Sequence, residues 1–365
     1  MLSIGIVGLP NIGKSTLFQA ITQKQVAIAN FPFTTIDPNI GLAPVIDERL
    51  QKIAEIQKSK NVIPATVKFV DIAGLVKGAA QGMGLGNQFL SYIRETTAIA
   101  EVVRLFSAPN IPHIEEKIDP LRDLEIISTE LILADLEALG KAFKKIEGDL
   151  KRKEKTAQQK FELIQKLERH LQNGQWISTF PLTDKEKELI KDFNFLTQKP
   201  LLVVLNVDDS ITPVEIEKIK EEIIDHIGNQ VNKTDIFTIN LAKELDLATL
   251  SNIEAAELNI TRLPFLNKLD DLIKRGYEIL DLITFFTTNG PEETRAWPLK
   301  RGSTVWDAAG LIHKDFQDKF IKAEIVNWRD FIECGSWAKA REMGKLKVEG
   351  KDYIVNDGDI VYYKI

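Results

Sequence analysis

Residues Gly8-Leu9-Pro10-Asn11-Ile12-Gly13-Lys14-Ser15 decide how this chain is read. They follow the apolar run Ile4-Gly5-Ile6-Val7 and precede Thr16-Leu17-Phe18-Gln19-Ala20-Ile21, where Leu17, Phe18 and Ile21 share a helical stripe. The pattern is G-x-x-x-x-G-K-S between a buried strand and a helix, the context a phosphate-binding loop requires. Glycine at both ends lets the backbone turn its N–H groups toward an anion, and the helix N-terminus adds partial positive charge. Asn11, Ile12, Gly13, Lys14, Ser15 and Thr16 then line the cradle. Lys14 reaches the β- and γ-phosphates, and the Ser15 hydroxyl ligates Mg²⁺. The expectation is a nucleoside triphosphate site at the start of the chain.

Two downstream segments extend that site. Asn30-Phe31-Pro32-Phe33-Thr34-Thr35-Ile36-Asp37-Pro38-Asn39 reads as a loop. Its spacing from Lys14 suits a switch whose threonine joins the Mg²⁺ shell, Thr35 in first place and Thr34 second. Ala65-Thr66-Val67-Lys68-Phe69-Val70 alternates as a strand and ends in Asp71-Ile72-Ala73-Gly74. Asp71 there holds the metal through water, and the Gly74 N–H senses the γ-phosphate as a catalytic element. Alone, D-x-x-G is as consistent with a turn; its place after a strand gives it weight. Leu75 stands where many GTPases carry a water-orienting glutamine, a role leucine cannot fill. The glycine-rich run from Gly78 to Gly86 reads as a second switch loop.

Bulk properties narrow the class. A chain of 365 residues predicts about two or three domains. Apolar content of 44% and charged content of 27% are ordinary for a globular protein, and a net charge of -6 supplies no global basic field. The single cysteine, Cys334, excludes an intramolecular disulfide or a cysteine metal cluster and suits a reducing cytosol. The apolar N-terminal run has no basic region before it and is cut by the glycine-rich loop, so it reads as a strand rather than a signal peptide. No run approaches the roughly 20 apolar residues of a membrane span. A cytoplasmic monomer with no membrane partner is expected.

The stretch 30–39, together with Asp71-Ile72-Ala73-Gly74-Leu75-Val76-Lys77-Gly78-Ala79, Gly84-Leu85-Gly86-Asn87-Gln88-Phe89-Leu90 and Ile93-Arg94-Glu95, resembles the YchF family of Obg-related ATPases. The resemblance covers nearly the whole chain. It implies a cytoplasmic, Mg²⁺-dependent nucleoside triphosphatase that prefers ATP to GTP and associates with the ribosome. The family's lack of a catalytic glutamine agrees with Leu75. One departure concerns the family pattern Gly-His-Val-Val-Arg, whose histidine is assigned the water-positioning role. Here the stretch is Ala100-Glu101-Val102-Val103-Arg104, which makes Glu101 the candidate catalytic residue. A glutamate could take a proton from water but adds repulsion beside the γ-phosphate, so slow hydrolysis is expected. A solvated strand-end acid is the plainer alternative. Asn11 is also a candidate K⁺ ligand, because asparagine at this place accompanies K⁺ use in some related nucleotidases; a small polar turn residue is the plainer reading.

Base recognition falls later. Pro200-Leu201-Leu202-Val203-Val204-Leu205 is a buried strand that delivers Asn206-Val207-Asp208-Asp209 to the sheet's C-terminal edge. GTPases use Asn-Lys-x-Asp here, the aspartate accepting from guanine N1–H and its 2-amino group. Residue chemistry at Asp209 therefore leans to GTP. Val207 removes the usual lysine, and the resemblance leans to ATP, so ATP is expected to be preferred and GTP weaker. Ile236-Phe237-Thr238-Ile239-Asn240 leads into Leu241-Ala242-Lys243, which resembles the base-contacting Ser-Ala-Lys loop with leucine in place of serine. The base site thus draws on Asn206, Val207, Asp209, Leu241 and Ala242.

Between these motifs, Ile132, Leu136, Leu139, Phe143, Ile146 and Leu150 step at coiled-coil spacing. A second stripe, Ala157, Phe161, Ile164, Leu167 and Leu171, follows the charged break 151–155. Two stripes around a polar break predict an antiparallel helical hairpin. Its basic tip invites ribosomal RNA phosphate, and solvated charge is the plainer alternative. Past Gly276 short strands alternate with turns, and residues 353–363 read as a hairpin around Asn356-Asp357-Gly358-Asp359. This module resembles the ubiquitin-like TGS domain that ends YchF proteins. His313 within it reads as structural.

The expected fold is α/β: a P-loop GTPase-like sheet with helices on both faces, an inserted antiparallel helical hairpin, and a C-terminal α+β ubiquitin-like TGS domain. The expected domains are 1–125 with 198–277, then 126–197, then 278–365. The expected function is a ribosome-associated ATPase; the competing reading is a non-hydrolysing or GTP-preferring module that binds the ribosome according to its nucleotide.

Overall fold

The computed structural model describes residues 2–26, 39–72, 85–108, 117–151, 155–249 and 268–365. In chain order the strands are β1 (Ser3–Val7), β2 (Ile40–Pro44), β3 (Asn61–Ile63), β4 (Thr66–Asp71), β5 (Ala98–Arg104), β6 (Leu201–Asn206), β7 (Ile236–Ile239), β8 (Leu282–Thr288), β9 (Glu293–Lys300), β10 (Lys322–Asn327), β11 (Lys347–Glu349) and β12 (Asp359–Lys364). Helices α1 (Lys14–Val26), α2 (Glu48–Gln57), α3 (Leu85–Glu95), α4 (Pro120–Lys151), α5 (Lys155–Gln172), α6 (Asp184–Ile190), α7 (Pro213–Ile227) and α8 (Leu241–Thr249) alternate with the first seven strands. Packing divides the chain into two units. The first holds the P-loop and most of the chain from Phe69 to Leu269; the second holds Leu42–Lys68 and Asp270–Ile365.

The first unit is built on a six-stranded sheet of order β2-β4-β1-β5-β6-β7. β1, β5, β6 and β7 run parallel, with Val7 opposite Glu101 and Glu101 opposite Val203. Every residue of β1, β5 and β6 is buried, as parallel strands covered on both faces require. The strand order folds back at β1, and the glycine-rich turn after β1 opens at that switch point, where α/β sheets place ligands.

The helical insert forms as the spacing predicts. α4 and α5 pack on each other, with Phe143 and Phe161 5.4 Å apart at one end and the Trp176 indole donating to Ser128 Oγ at 2.7 Å toward the other. The hairpin is anchored at its root by Asp135 of α4, which is fully buried. Asp135 accepts from Leu196 N–H (3.0 Å), Thr197 N–H (2.8 Å) and the Thr197 hydroxyl (2.8 Å), and pairs with Arg94 of α3.

The second unit has its own sheet, of order β11-β10-β12-β8-β9-β3. β8 and β9 form an antiparallel hairpin, β12 runs parallel to β8, and β10 is antiparallel to β12. The helix Val305–Ile312, capped at Thr304 with Asp307 in reciprocal contact, lays Val305, Ala308 and Ala309 on Phe285, Leu299 and Ile325. This is the ubiquitin-like arrangement. His313 is structural: its Nδ1 accepts the Asp315 N–H at 3.1 Å and starts the next short helix.

Two expectations change. The Asn356–Asp359 turn does not close a hairpin. Both edges of β12 are taken by β8 and β10, and the residues before the turn bridge only Thr304 to Ile354. Instead Asp357 caps the Thr284 N–H at 2.9 Å. Residues 42–68, expected within the nucleotide domain, pack in the second unit. β3 pairs parallel with β9, Asn61 opposite Glu293 and Ile63 opposite Arg295, and Arg49 of α2 reaches Asp357 at 2.6 Å. Pairing a distant strand is non-local, so no motif in residues 42–68 announces it.

Candidate nucleotide site

Backbone torsions show why the glycine-rich turn needs its glycines. Gly8 sits at φ 142° and Gly13 at φ 104°, in the region that strains other residues. A Cβ on Gly8 would meet Ile12 and the Val102 carbonyl, and one on Gly13 would meet the Asn206 amide. Asn11, at φ 64°, is one of the residue types that tolerate left-handed backbone. The Leu17 N–H donates to the Gly13 carbonyl at 2.9 Å, so α1 winds directly out of the turn.

Lys14 is 8% exposed, and its ammonium donates to the Leu9 carbonyl at 2.7 Å, folded over the turn it serves. Burial lowers its pKa to about 8, against the opposing pull of Asp71. Burial likewise raises the Asp71 carboxyl, and Lys14 opposes that rise. The two groups feel one another across the cradle, as a phosphate site with a metal-holding acid requires. Ser15 is exposed and Thr16 half-buried on the first turn of α1. Thr35 and Gly74 lie outside the described residues.

Asn206, expected at the base, ties the site together. Its Nδ2 donates to the Ile12 carbonyl at 2.9 Å, and its Oδ1 accepts the Leu241 N–H at 3.3 Å. One amide thereby joins the P-loop to the start of α8. Leu241 is fully buried, and Ala242 is exposed beside it. Val207 is interior, its N–H bonded to the Ile239 carbonyl at 3.0 Å, so it presents no lysine-like stem.

Asp209 has partners already. The Lys243 ammonium pairs with its Oδ2, and the Asn240 amide donates to its Oδ1 at 3.3 Å. The neighbouring Asp208 accepts from Ser107 N–H (2.8 Å), Ser210 N–H (2.9 Å) and the Ser210 hydroxyl. Burial raises the Asp208 carboxyl, but these hydrogen bonds outweigh it and hold the group below the usual carboxylate range. Asp208 and Asn240 were not singled out in the sequence. The Asp-x-Ser spacing, which favours a side chain bonding backbone two residues on, is the signal that could have found Asp208.

Glu101 requires correction. It is 2% exposed, so it is no solvated strand end, and its neighbour is Asp123 on α4. Burial first, and the Asp123 charge second, raise its pKa well above the usual range. Burial beside a second acid therefore disfavours the charged form of Glu101, and its setting is the protein interior rather than a solvated edge. Asp123, which also interacts with the buried Arg104, makes this an interior polar cluster between β5 and α4.

The oxygen donors at the cradle suit a hard cation. Among the described residues no group of three or more His, Cys, Asp or Glu could form an all-protein metal cage. A hydroxyl from Ser15 and a carboxylate from Asp71, completed by phosphate oxygens and water, is the donor set Mg²⁺ takes at nucleotide sites.

Parallel sheet, glycine-wrapped turn, buried lysine and facing aspartate define a P-loop nucleoside triphosphatase of the GTPase-like type. Residues 3–135 match the family model described as "50S ribosome-binding GTPase", and residues 282–365 match YchF-GTPase_C, described as "Protein of unknown function (DUF933)". The chain is 41% identical to the "Ribosome-binding ATPase YchF" of Bacillus subtilis, covering 100% of this chain and 99% of that protein. It is 42% identical to the protein of the same name from Escherichia coli O157:H7, over 98% of each chain. The Schizosaccharomyces pombe YchF GTPase superposes with a TM-score of 0.86 at 35% identity, over 100% of this chain and 97% of that one. The chain belongs to the YchF family.

Proposed function

We propose that this protein is a Mg²⁺-dependent nucleoside triphosphatase that hydrolyses ATP in preference to GTP and binds the ribosome according to the nucleotide it holds. The observation that carries the reading is the cradle in which Lys14 and Asp71 face one another beneath the turn of residues 8–13. On phosphate binding, the Lys14 ammonium exchanges the Leu9 carbonyl for phosphate oxygens, whose negative charge favours its protonated form. Ser15 and Asp71, with Thr35, would hold Mg²⁺, which supplies neutralisation of charge on the transferred phosphoryl group. The Gly74 N–H adds a donor there. K⁺ beside Asn11 is a second ion in this reading, tested by replacing K⁺ with Na⁺ in a turnover assay.

The preference for ATP is supported by the occupancy of Asp209. Guanine needs both carboxylate oxygens as acceptors, and here Lys243 and Asn240 already engage them. Adenine makes no such demand. Competition titration of a fluorescent ATP analogue with ATP and GTP tests this. ATP is expected to displace the probe at several-fold lower concentration, and a GTP preference overturns it. Phosphate release by the parent chain and its absence in Lys14→Ala test hydrolysis. The ribosome as partner is supported by the names its relatives carry, and a cytoplasmic monomer goes with it. We further infer three functional parts: the nucleotide-binding residues 1–125 and 198–277 apart from the stretch 42–68 that packs in the second unit, the helical insert 126–197, and the module 278–365. Ribosome pelleting with each nucleotide would show which part attaches.

A further inference from the structure

The chain between the two phosphate-sensing motifs does not remain with the nucleotide-binding sheet. It runs from Asn39, whose carbonyl accepts the Asp71 N–H at 2.9 Å, along the sheet's edge as β2, leaves past Pro44, and returns along β4 to Asp71 itself. A second rung, Val45 N–H to the Ala65 carbonyl at 2.8 Å, holds the two arms together farther out. Beyond it, α2 and β3 are built into the second unit. β3 is the edge strand beside β9. The Ser59 hydroxyl donates to the Gly290 carbonyl at 3.0 Å and shares a 2.7 Å hydrogen bond with Thr294. Lys60 donates through its backbone to Pro291 at 2.8 Å and pairs with Glu292 at 3.1 Å. Arg49 pairs with Asp357 and lies 5.5 Å from the Phe286 ring. Both arms of the excursion therefore start at the acid that answers Lys14, and its far end is a structural part of the C-terminal sheet.

We propose that residues 39–71 act as a lever that carries the state of the phosphate site into the C-terminal unit. The arrival or loss of cation and phosphate at Asp71 changes the charge it must balance, and a ligand shifts an equilibrium only through such a differential interaction. The rungs at Asn39–Asp71 and Val45–Ala65 make the two arms move together. The displacement is delivered to the β3–β9 edge rather than lost in a loop. The inference rests on the nucleotide-site reading and adds to it the element through which that site governs the C-terminal module.

Hydrogen–deuterium exchange on the full chain tests it, comparing Mg²⁺ with a non-hydrolysable ATP analogue against Mg²⁺ with ADP, with saturation checked by fluorescent-nucleotide titration. Peptides from 42–63 and 293–300 are expected to change exchange rate by about threefold or more between the two states. Equal rates in both peptides at verified saturation overturn the proposal. The double variant Ser59→Ala/Lys60→Ala loosens the β3–β9 edge outside the nucleotide site. In it the response of 42–58 is expected to persist while that of 293–300 falls to less than half; an undiminished response at 293–300 overturns the route. Absence of nucleotide binding altogether overturns the nucleotide-site reading, and the lever with it.

Discussion

Lys14 is held in a setting that makes sense only with an anion nearby. Its folded pKa of about 8 lies below the ordinary lysine value, so between about pH 8 and 10.5 the unfolded chain binds more protons than the folded one, and stability rises with pH across that window. Below it the cost of burying the charge is fully present, up to about 3 kcal/mol. Lys14→Met is therefore expected to unfold at higher denaturant concentration than the parent at pH 7, by about 1–3 kcal/mol, while losing nucleotide binding. The advantage should shrink as pH approaches 10. Nucleotide affinity of the parent should fall as pH rises through 8, measured by fluorescent titration. Glu101 runs the other way. Its raised pKa means its stabilising proton is present at low pH and lost as pH rises through the folded value. Glu101→Gln is expected to hydrolyse ATP within about twofold of the parent, since burial disfavours the charged form and the amide keeps the side chain's shape. Its stability should be flatter with pH than the parent's, measured by urea unfolding at a series of pH values.

At the scale of elements, the join between α3 and the helical insert depends on one buried charge. Asp135 satisfies two backbone N–H groups, a hydroxyl and Arg94 at once. Asp135→Ala leaves all four donors without that acceptor and is expected to cost about 3–5 kcal/mol, measured by chemical denaturation. Asp135→Asn should cost less, because one amide oxygen still serves two of them. Strongly periodic or motif-bearing elements were legible in the sequence. The P-loop turn, β4 ending in Asp71, and the stripes of α4 and α5 all form where spacing put them, because local chemistry dictates each one. That Glu101 is interior was not legible, because a position in a family pattern says nothing about which neighbours cover a strand; Asp123 and α4 decide that. The partners of Asp209, Asn240 and Lys243, were not legible beside it because they lie about thirty residues away. The β12 hairpin failed for the same reason: turn chemistry was right, but the strand's partners are β8 and β10, chosen by the sheet as a whole.

For the whole molecule, the division at residues 42–68 is the least expected result and the most consequential. The C-terminal sheet is incomplete without β3, and its outer face lacks α2, whose buried Leu50, Ile53 and Ala54 need that cover. A fragment spanning 270–365 alone is expected to melt at lower temperature than the C-terminal unit within the intact chain, with a broader transition, followed by circular dichroism; a fragment as stable as the intact unit would show that β3 and α2 contribute nothing. The same pairing bears on how the chain is made. Lys60 and Glu292 are 232 residues apart in sequence. As the polypeptide emerges during synthesis, α2 and β3 appear early and wait, partnerless, until β8 and β9 have been translated. Their apolar side is exposed for roughly ten to fifty seconds at ordinary elongation rates, a period in which this protein, more than a chain whose modules close one after another, depends on what else in the cell can shield it.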